Sequence, residues 1–187
     1  AKNLDSGNYQ AVLSDPNANA TDFAAAAMVA AGLAPVDLVK QLNTTASTTA
    51  GATSGDLGAV TQIPIAPENL RYLVDAENKL NAEITSKCSG MTASTITQEC
   101  KDLNFQQTVT SLTTTVTALA QVGQTNSAFI AGGFDATDGI SQAEAQALAT
   151  YITNNPNVTV NTGTTSAPNN ISIVTVVALD VATIAGT

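Results

Sequence analysis

No tryptophan occurs in these 187 residues, and only seven positions are aromatic: Tyr9, Phe23, Tyr72, Phe105, Phe129, Phe134 and Tyr151. Ala, Val, Leu and Ile supply nearly all of the 44% apolar content. That restriction to small side chains limits what the chain can build. Each one removes little area from water, at roughly 25 cal/mol per Å². In return, small side chains let helices and strands approach closely. The length suits one domain with a real core, which then gains stability from close packing or from assembly with neighbours.

Charge is sparse, at 11% of residues, and sums to −9 with no His. The chain is too rich in apolar residues to stay disordered. The surface must therefore be clothed in Thr, Ser, Asn and Gln, a surface more common outside cells than in cytosol. Nucleic acid and anionic membrane both need a basic patch. Lys2, Lys40 and Arg71 are scattered and make none. Ala1, in place of Met, reads as the first residue of a processed chain. The longest apolar runs, residues 23–34 and 171–179, are shorter than the ~20 residues a bilayer span needs.

Cys88 and Cys100 allow one internal pairing, expected as a disulfide in an exported protein. A loop of that size stabilises by about 3 kcal/mol in the chain-entropy view. Two unrelated buried thiols are the alternative. Half a metal site is a poorer one, since there is no His and no second Cys pair.

Residues 1–20 are polar and turn-rich, and read as an extended arm with a short strand at residues 9–13. The remainder, 21–187, reads as a single domain. Asn19 or Thr21 can cap a helix through Phe23, Met28 and Leu33. A second short helix is expected at residues 36–42, after Pro35. Residues 43–58 are of low complexity and form a linker or a surface loop. Residues 60–65 suit a strand that Pro64 confines to an edge.

Pro67 opens the clearest helix, with Leu70, Leu73, Val74, Leu80 and Ile84 on one face. Asp75 and Lys79 stand four apart and can pair on the wet side. Thr95 with Gln98 resembles a capping box for a further helix. Phe105, Val109, Leu112, Val116 and Leu119 then make a heptad stripe, with Gly123 as its stop. Ser141 and Glu144 form another capping box, and Ile140 can staple onto Ala145. That helix should end near Ile152. A strand at residues 157–161 and a longer one at 171–184 suit a C-terminal hairpin.

Chemistry is mostly excluded. Asp135, Asp138, Gly139, Ile140 and Glu144 hold the ingredients of a calcium loop at the wrong spacing, and a turn with a capping box accounts for them. Without His, no nucleophile–base–acid arrangement is available. Glu99 and Asp102 flank Lys101 as a solvated helix face rather than an acid–base pair. Asn19, Asn43, Asn157 and Asn170 begin N-glycosylation sequons, which chance produces in a chain this rich in Asn and Thr.

The expected fold is α+β, with Ala- and Thr-rich helices packed on a small sheet that includes the C-terminal hairpin. The expected protein is secreted and non-catalytic, with no cofactor, no metal, no small-molecule substrate, no membrane span and no nucleic-acid partner. It reads as a homo-oligomer or polymer, a pilus-like or surface-layer subunit. The alternative is a secreted monomeric binding or adhesion module.

Overall fold

Threonine resists helix formation, yet seven threonines lie in the longest helix. The computed structural model describes residues 7–33, 65–92, 94–135 and 140–177. It is mostly helical with one small antiparallel sheet, the α+β class expected. In chain order the elements are α1 (Tyr9–Leu13), α2 (Ala20–Ala30), a 3-10 turn (Pro67–Asn69), α3 (Leu70–Cys88), α4 (Gln98–Thr125), α5 (Ser127–Ala131), α6 (Gln142–Asn154), β1 (Thr159–Asn161) and β2 (Asn170–Ser172).

Helix α4 is central. The Oγ1 atoms of Thr110, Thr113, Thr114 and Thr117 each donate to the carbonyl four residues back, at 2.8–2.9 Å. All four threonines are buried. The bond satisfies the hydroxyl inside its own helix, so neighbours meet a methyl group. This overturns the heptad reading. Phe105 is 65% exposed, and Val109, Leu112 and Leu119 are half-buried. Of that stripe only Val116 is buried; the packed face runs instead through Leu103, Thr110, Thr114, Thr117 and Ala118.

Two clusters form the core. In the first, Ala20, Phe23, Ala24, Ala27 and Ala31 meet Leu73, Ala76 and Leu80 of α3 and Leu103 of α4. Alanines facing alanine and leucine give the close packing that the composition implied. In the second, the C-terminal half of α4 gathers Leu70, Phe134, Ile140, Leu148, Val160, Ile173 and Val176. The α2 end turns on Gly32, at φ 88°, where an L side chain is strained. Ala66 N–H then donates to Ala31 C=O at 3.0 Å, and the Asn69 amide to Ala30 C=O at 2.8 Å. Residues 33 and 65 are thereby held near one another. The expected helix at 36–42, the low-complexity stretch at 43–58 and the strand at 60–64 lie outside the described residues.

Several local expectations change. Tyr9–Leu13 is helix, not strand, because Asn8 accepts from Ala11 N–H and Val12 is buried. Residues 9–13 are therefore not part of an extended arm. The cap of α4 is Thr97, which accepts from Cys100 N–H, while Thr95 accepts from Thr92 N–H within the preceding turn. Gly123 does not stop α4, which continues to Thr125. The Ser141–Glu144 capping box is present and starts α6, which runs to Asn154. The long C-terminal strand is short: β2 ends at Ser172 and residues 173–177 turn helical. The reason lies in its partner. The last rung is Ile173 N–H to Val158 C=O, and Val158 itself closes a turn onto Asn155. Beyond that point β2 meets no further partner among the described residues.

Candidate functional site

Among the described residues, the hairpin has main-chain pairing capacity that is not used. Its register places Thr159 opposite Ser172, Val160 opposite Ile171 and Asn161 opposite Asn170. Thr162 N–H bonds Asn169 C=O at 2.8 Å, and Ile173 N–H bonds Val158 C=O at 3.0 Å. Rungs alternate in an antiparallel ladder. The 158–173, 160–171 and 162–169 pairs therefore exchange hydrogen bonds, and the main-chain groups of Thr159 and Asn161 on β1 and of Asn170 and Ser172 on β2 point outward. Asn161 Oδ1 accepts from Gly163 N–H (2.8 Å) and Asn169 N–H (2.9 Å), which sets the loop. A Cβ at Gly163 would lie 2.3 Å from Ala167 C=O, so only glycine fits there.

The two edges differ in how far they are covered: β1 is covered at Asn161, while the outward groups of exposed Thr159 meet no partner among the described residues. On β1, the Gln121 carboxamide of α4 accepts from Asn161 N–H and donates to Asn161 C=O at 3.2 Å. It also donates to Pro67 C=O at 3.0 Å, tying the 3-10 turn to the hairpin. A helix covering an edge in this way is a standard defence against pairing. On β2, Asn170 is exposed, and its outward N–H and C=O meet no partner among the described residues. The same holds for the outward N–H of Ser172. The sequence offered one faint sign of this arrangement. Gln121 is the only polar residue in the run 118–122, but nothing in that run named its target.

Cys88 and Cys100 are joined, with Sγ atoms 2.06 Å apart. The bond ties the end of α3 to the start of α4. Beside it, Lys87 Nζ lies 2.7 Å from Glu83 and 2.6 Å from Glu99. These two hydrogen bonds raise the pKa of the Lys87 ammonium. Glu99 is thus engaged with Lys87, and Asp102 accepts from the Gln98 amide at 2.8 Å. Glu144 caps its own helix through Ser141 N–H, and residues 136–139 of the calcium-like stretch lie outside the described residues. Among the described residues, no three His, Cys, Asp or Glu gather to hold a metal, and no helix is long and apolar enough to cross a membrane. Of the sequon residues, Asn19 caps α2, Asn157 and Asn170 are exposed, and Asn43 lies outside.

One groove was not foreseen. It has a volume of about 450 Å³ and lies between the turn after α1, Phe23 of α2, and Asp75, Asn78 and Lys79 of α3. The expected Asp75–Lys79 ion pair does not form. Lys79 Nζ sits instead over the Phe23 ring, 5.2 Å from its centroid. Asp75 is exposed, but partial desolvation beside the groove pushes its carboxyl above the usual aspartate range, against the opposing pull of Arg71 and Lys79.

No protein family, curated relative or solved structure matches this chain.

Proposed function

We propose that this chain is an exported, non-catalytic structural protein, a self-assembling subunit of an extracellular filament or surface layer. One observation supports the reading: among the described residues, the β1 edge is covered at Asn161 by Gln121, while the outward groups of β2 meet no partner. An unpaired strand edge is a template for another chain, and proteins that remain single blunt it with short strands, charge, proline or a bulge. β2 is short, at three residues, but residues 169–173 carry neither charge nor proline. The Cys88–Cys100 bond suits an oxidising compartment. The candidate acids, Glu99, Asp102 and Glu144, are occupied in an ion pair, a side-chain bond and a helix cap.

Electron microscopy of the producing cells, with an antibody against this chain, tests the reading. Labelled fibres or a labelled surface lattice are expected. Label confined to the cell interior, or to unassembled secreted protein, would sink it.

The groove lined by Asp15, Asp75, Asn78 and Lys79 favours a second reading, a secreted monomeric binding module. A protein that sediments as a monomer at every concentration would put that reading first.

A further inference from the structure

We infer that the outer edge of β2 accepts an extended segment from a second copy of this chain, and that the donor is the C-terminal segment, residues 178–187. The inference rests on the self-assembling reading and names the surfaces it would use.

The acceptor follows from the ladder. Asn170 offers an outward N–H and C=O, and Ser172 an outward N–H, on the edge away from β1. On the opposite edge Gln121 takes both outward groups of Asn161 and leaves only those of Thr159. An incoming strand therefore finds its longer free run of main-chain groups on β2. Just past that edge Val174 is 44% exposed, and Ile171 and Val177 are half-buried. Apolar side chains beside free main-chain groups are what strand addition uses: backbone bonds supply affinity, and side-chain contacts set register.

The donor follows from composition. A strand that adds to an edge needs β-prone residues, little charge and no proline. Residues 178–187 contain Leu179, Val181, Thr183 and Ile184, with Asp180 the one charge and no Pro. Residues 1–6 carry Lys2 and Asp5 around a single leucine. Residues 34–64 carry Pro35 and Pro64 and are anchored at both ends by the Ala31–Ala66 bond. A second copy suits the edge better than the chain's own tail. An antiparallel return onto its own edge would have to be made through residues 173–177, which are wound into a helical turn rather than a tight hairpin loop. Donor and acceptor are different surfaces of one chain, so the contact is head-to-tail and propagates unless its rotation closes a ring.

Sedimentation velocity of the full chain over a concentration series tests this with two proline variants. Ser172→Pro removes an outward N–H of the acceptor; Val181→Pro breaks the donor. The parent should form a ladder of oligomers. Each variant alone should lose every species larger than monomer. Their mixture should form one-to-one pairs and nothing longer, because it holds one intact donor and one intact acceptor. Circular dichroism checks that Ser172→Pro folds; Asn170→Pro, which removes the other outward N–H, replaces it otherwise. If the parent assembles and the acceptor variants assemble equally well, the contact lies elsewhere and only this inference falls. If the single variants are monomeric but do not pair when mixed, the donor assignment is wrong. A parent that stays monomeric overturns the self-assembling reading as well.

Discussion

Phe134 stands where a side chain on residue 123 would go: a Cβ built there would lie 2.5 Å from its ring. Helix propensity alone favours Ala over Gly by about 1 kcal/mol. The clash works against it, since overpacking a core typically costs roughly 1–3 kcal/mol. The ring is also fixed by an edge-to-face contact with Phe129, 6.5 Å between centroids. Gly123→Ala should therefore destabilise the protein in urea unfolding. In a Phe134→Ala background the same change should become neutral or stabilising. Equal destabilisation in both backgrounds would show that the ring is not the cause.

Thr114 tests whether α4 needs its hydroxyls or only their size. Its Oγ1 donates to a carbonyl that the helix already uses, so losing the hydroxyl strands no partner. Thr114→Val should shift stability by less than about 1 kcal/mol. Thr114→Leu adds volume to a fully buried site, and should cost roughly 1–3 kcal/mol. The reverse order would mean that the hydroxyl itself holds the helix.

The disulfide should matter more than any single contact near it. Reduction, or Cys88→Ser with Cys100→Ser, should remove about 3 kcal/mol in the chain-entropy view. Mass spectrometry of the native protein checks the bond directly: alkylation of both thiols without reductant would contradict it. Lys87 and its two carboxylates are a weak substitute, because an exposed ion pair contributes little.

Asp75 gives a pH dependence with a definite sign. Partial desolvation raises its folded pKa above the ordinary 3.8, and the Arg71 and Lys79 charges oppose that shift without cancelling it. A folded state that holds a proton more tightly than the unfolded chain has its benefit below the unfolded value. The benefit is lost as pH rises through the folded value. Asparagine does not titrate. Asp75→Asn should therefore melt higher than the parent at neutral pH, and the gap should close as pH falls below 3.8. Melting curves that stay parallel across the series would rule this out.

Much of the fold was legible where local chemistry decides it. Pro67 marked the start of α3, and Ser141 with Glu144 marked the start of α6. The apolar period of α3 named Leu70, Leu73 and Leu80 as buried. The reading failed where tertiary context reverses a residue's usual meaning. In α4, bonds to the preceding turn make threonines behave as small apolar side chains, so counting Leu and Val chose the wrong face. Gly123 looked like a stop and is a seat for Phe134. Residues 171–184 have the composition of a long strand, but a strand is only as long as its partner: the pairing stops at Thr159 opposite Ser172, and residues 173–177 turn helical. The site was the least visible part. An edge is open or closed according to what approaches it from elsewhere in the chain, and Gln121 lies 40 positions from Asn161.

That distant contact supports the last prediction. Gln121 both accepts from Asn161 N–H and donates to Asn161 C=O and Pro67 C=O. Gln121→Leu keeps much of the bulk and removes every one of those bonds. Two groups on Asn161 and one on Pro67 are then left to water or to nothing, in a place where Gln121 and Asn161 are half-buried. Each unsatisfied buried group costs about 1–3 kcal/mol, with water offsetting part of that loss. Gln121→Glu keeps the acceptor for Asn161 N–H but cannot donate, and its charge faces two carbonyl oxygens. The expected order of stability is parent, then Leu, then Glu at neutral pH. Acidification should rescue Glu alone, because a protonated carboxyl donates one bond. Amide exchange at Asn161 should quicken in the Leu variant while the Val160–Ile171 rung stays protected longer. A Leu variant as stable as the parent, with Asn161 still protected, would show that α4 covers the β1 edge without help from this side chain.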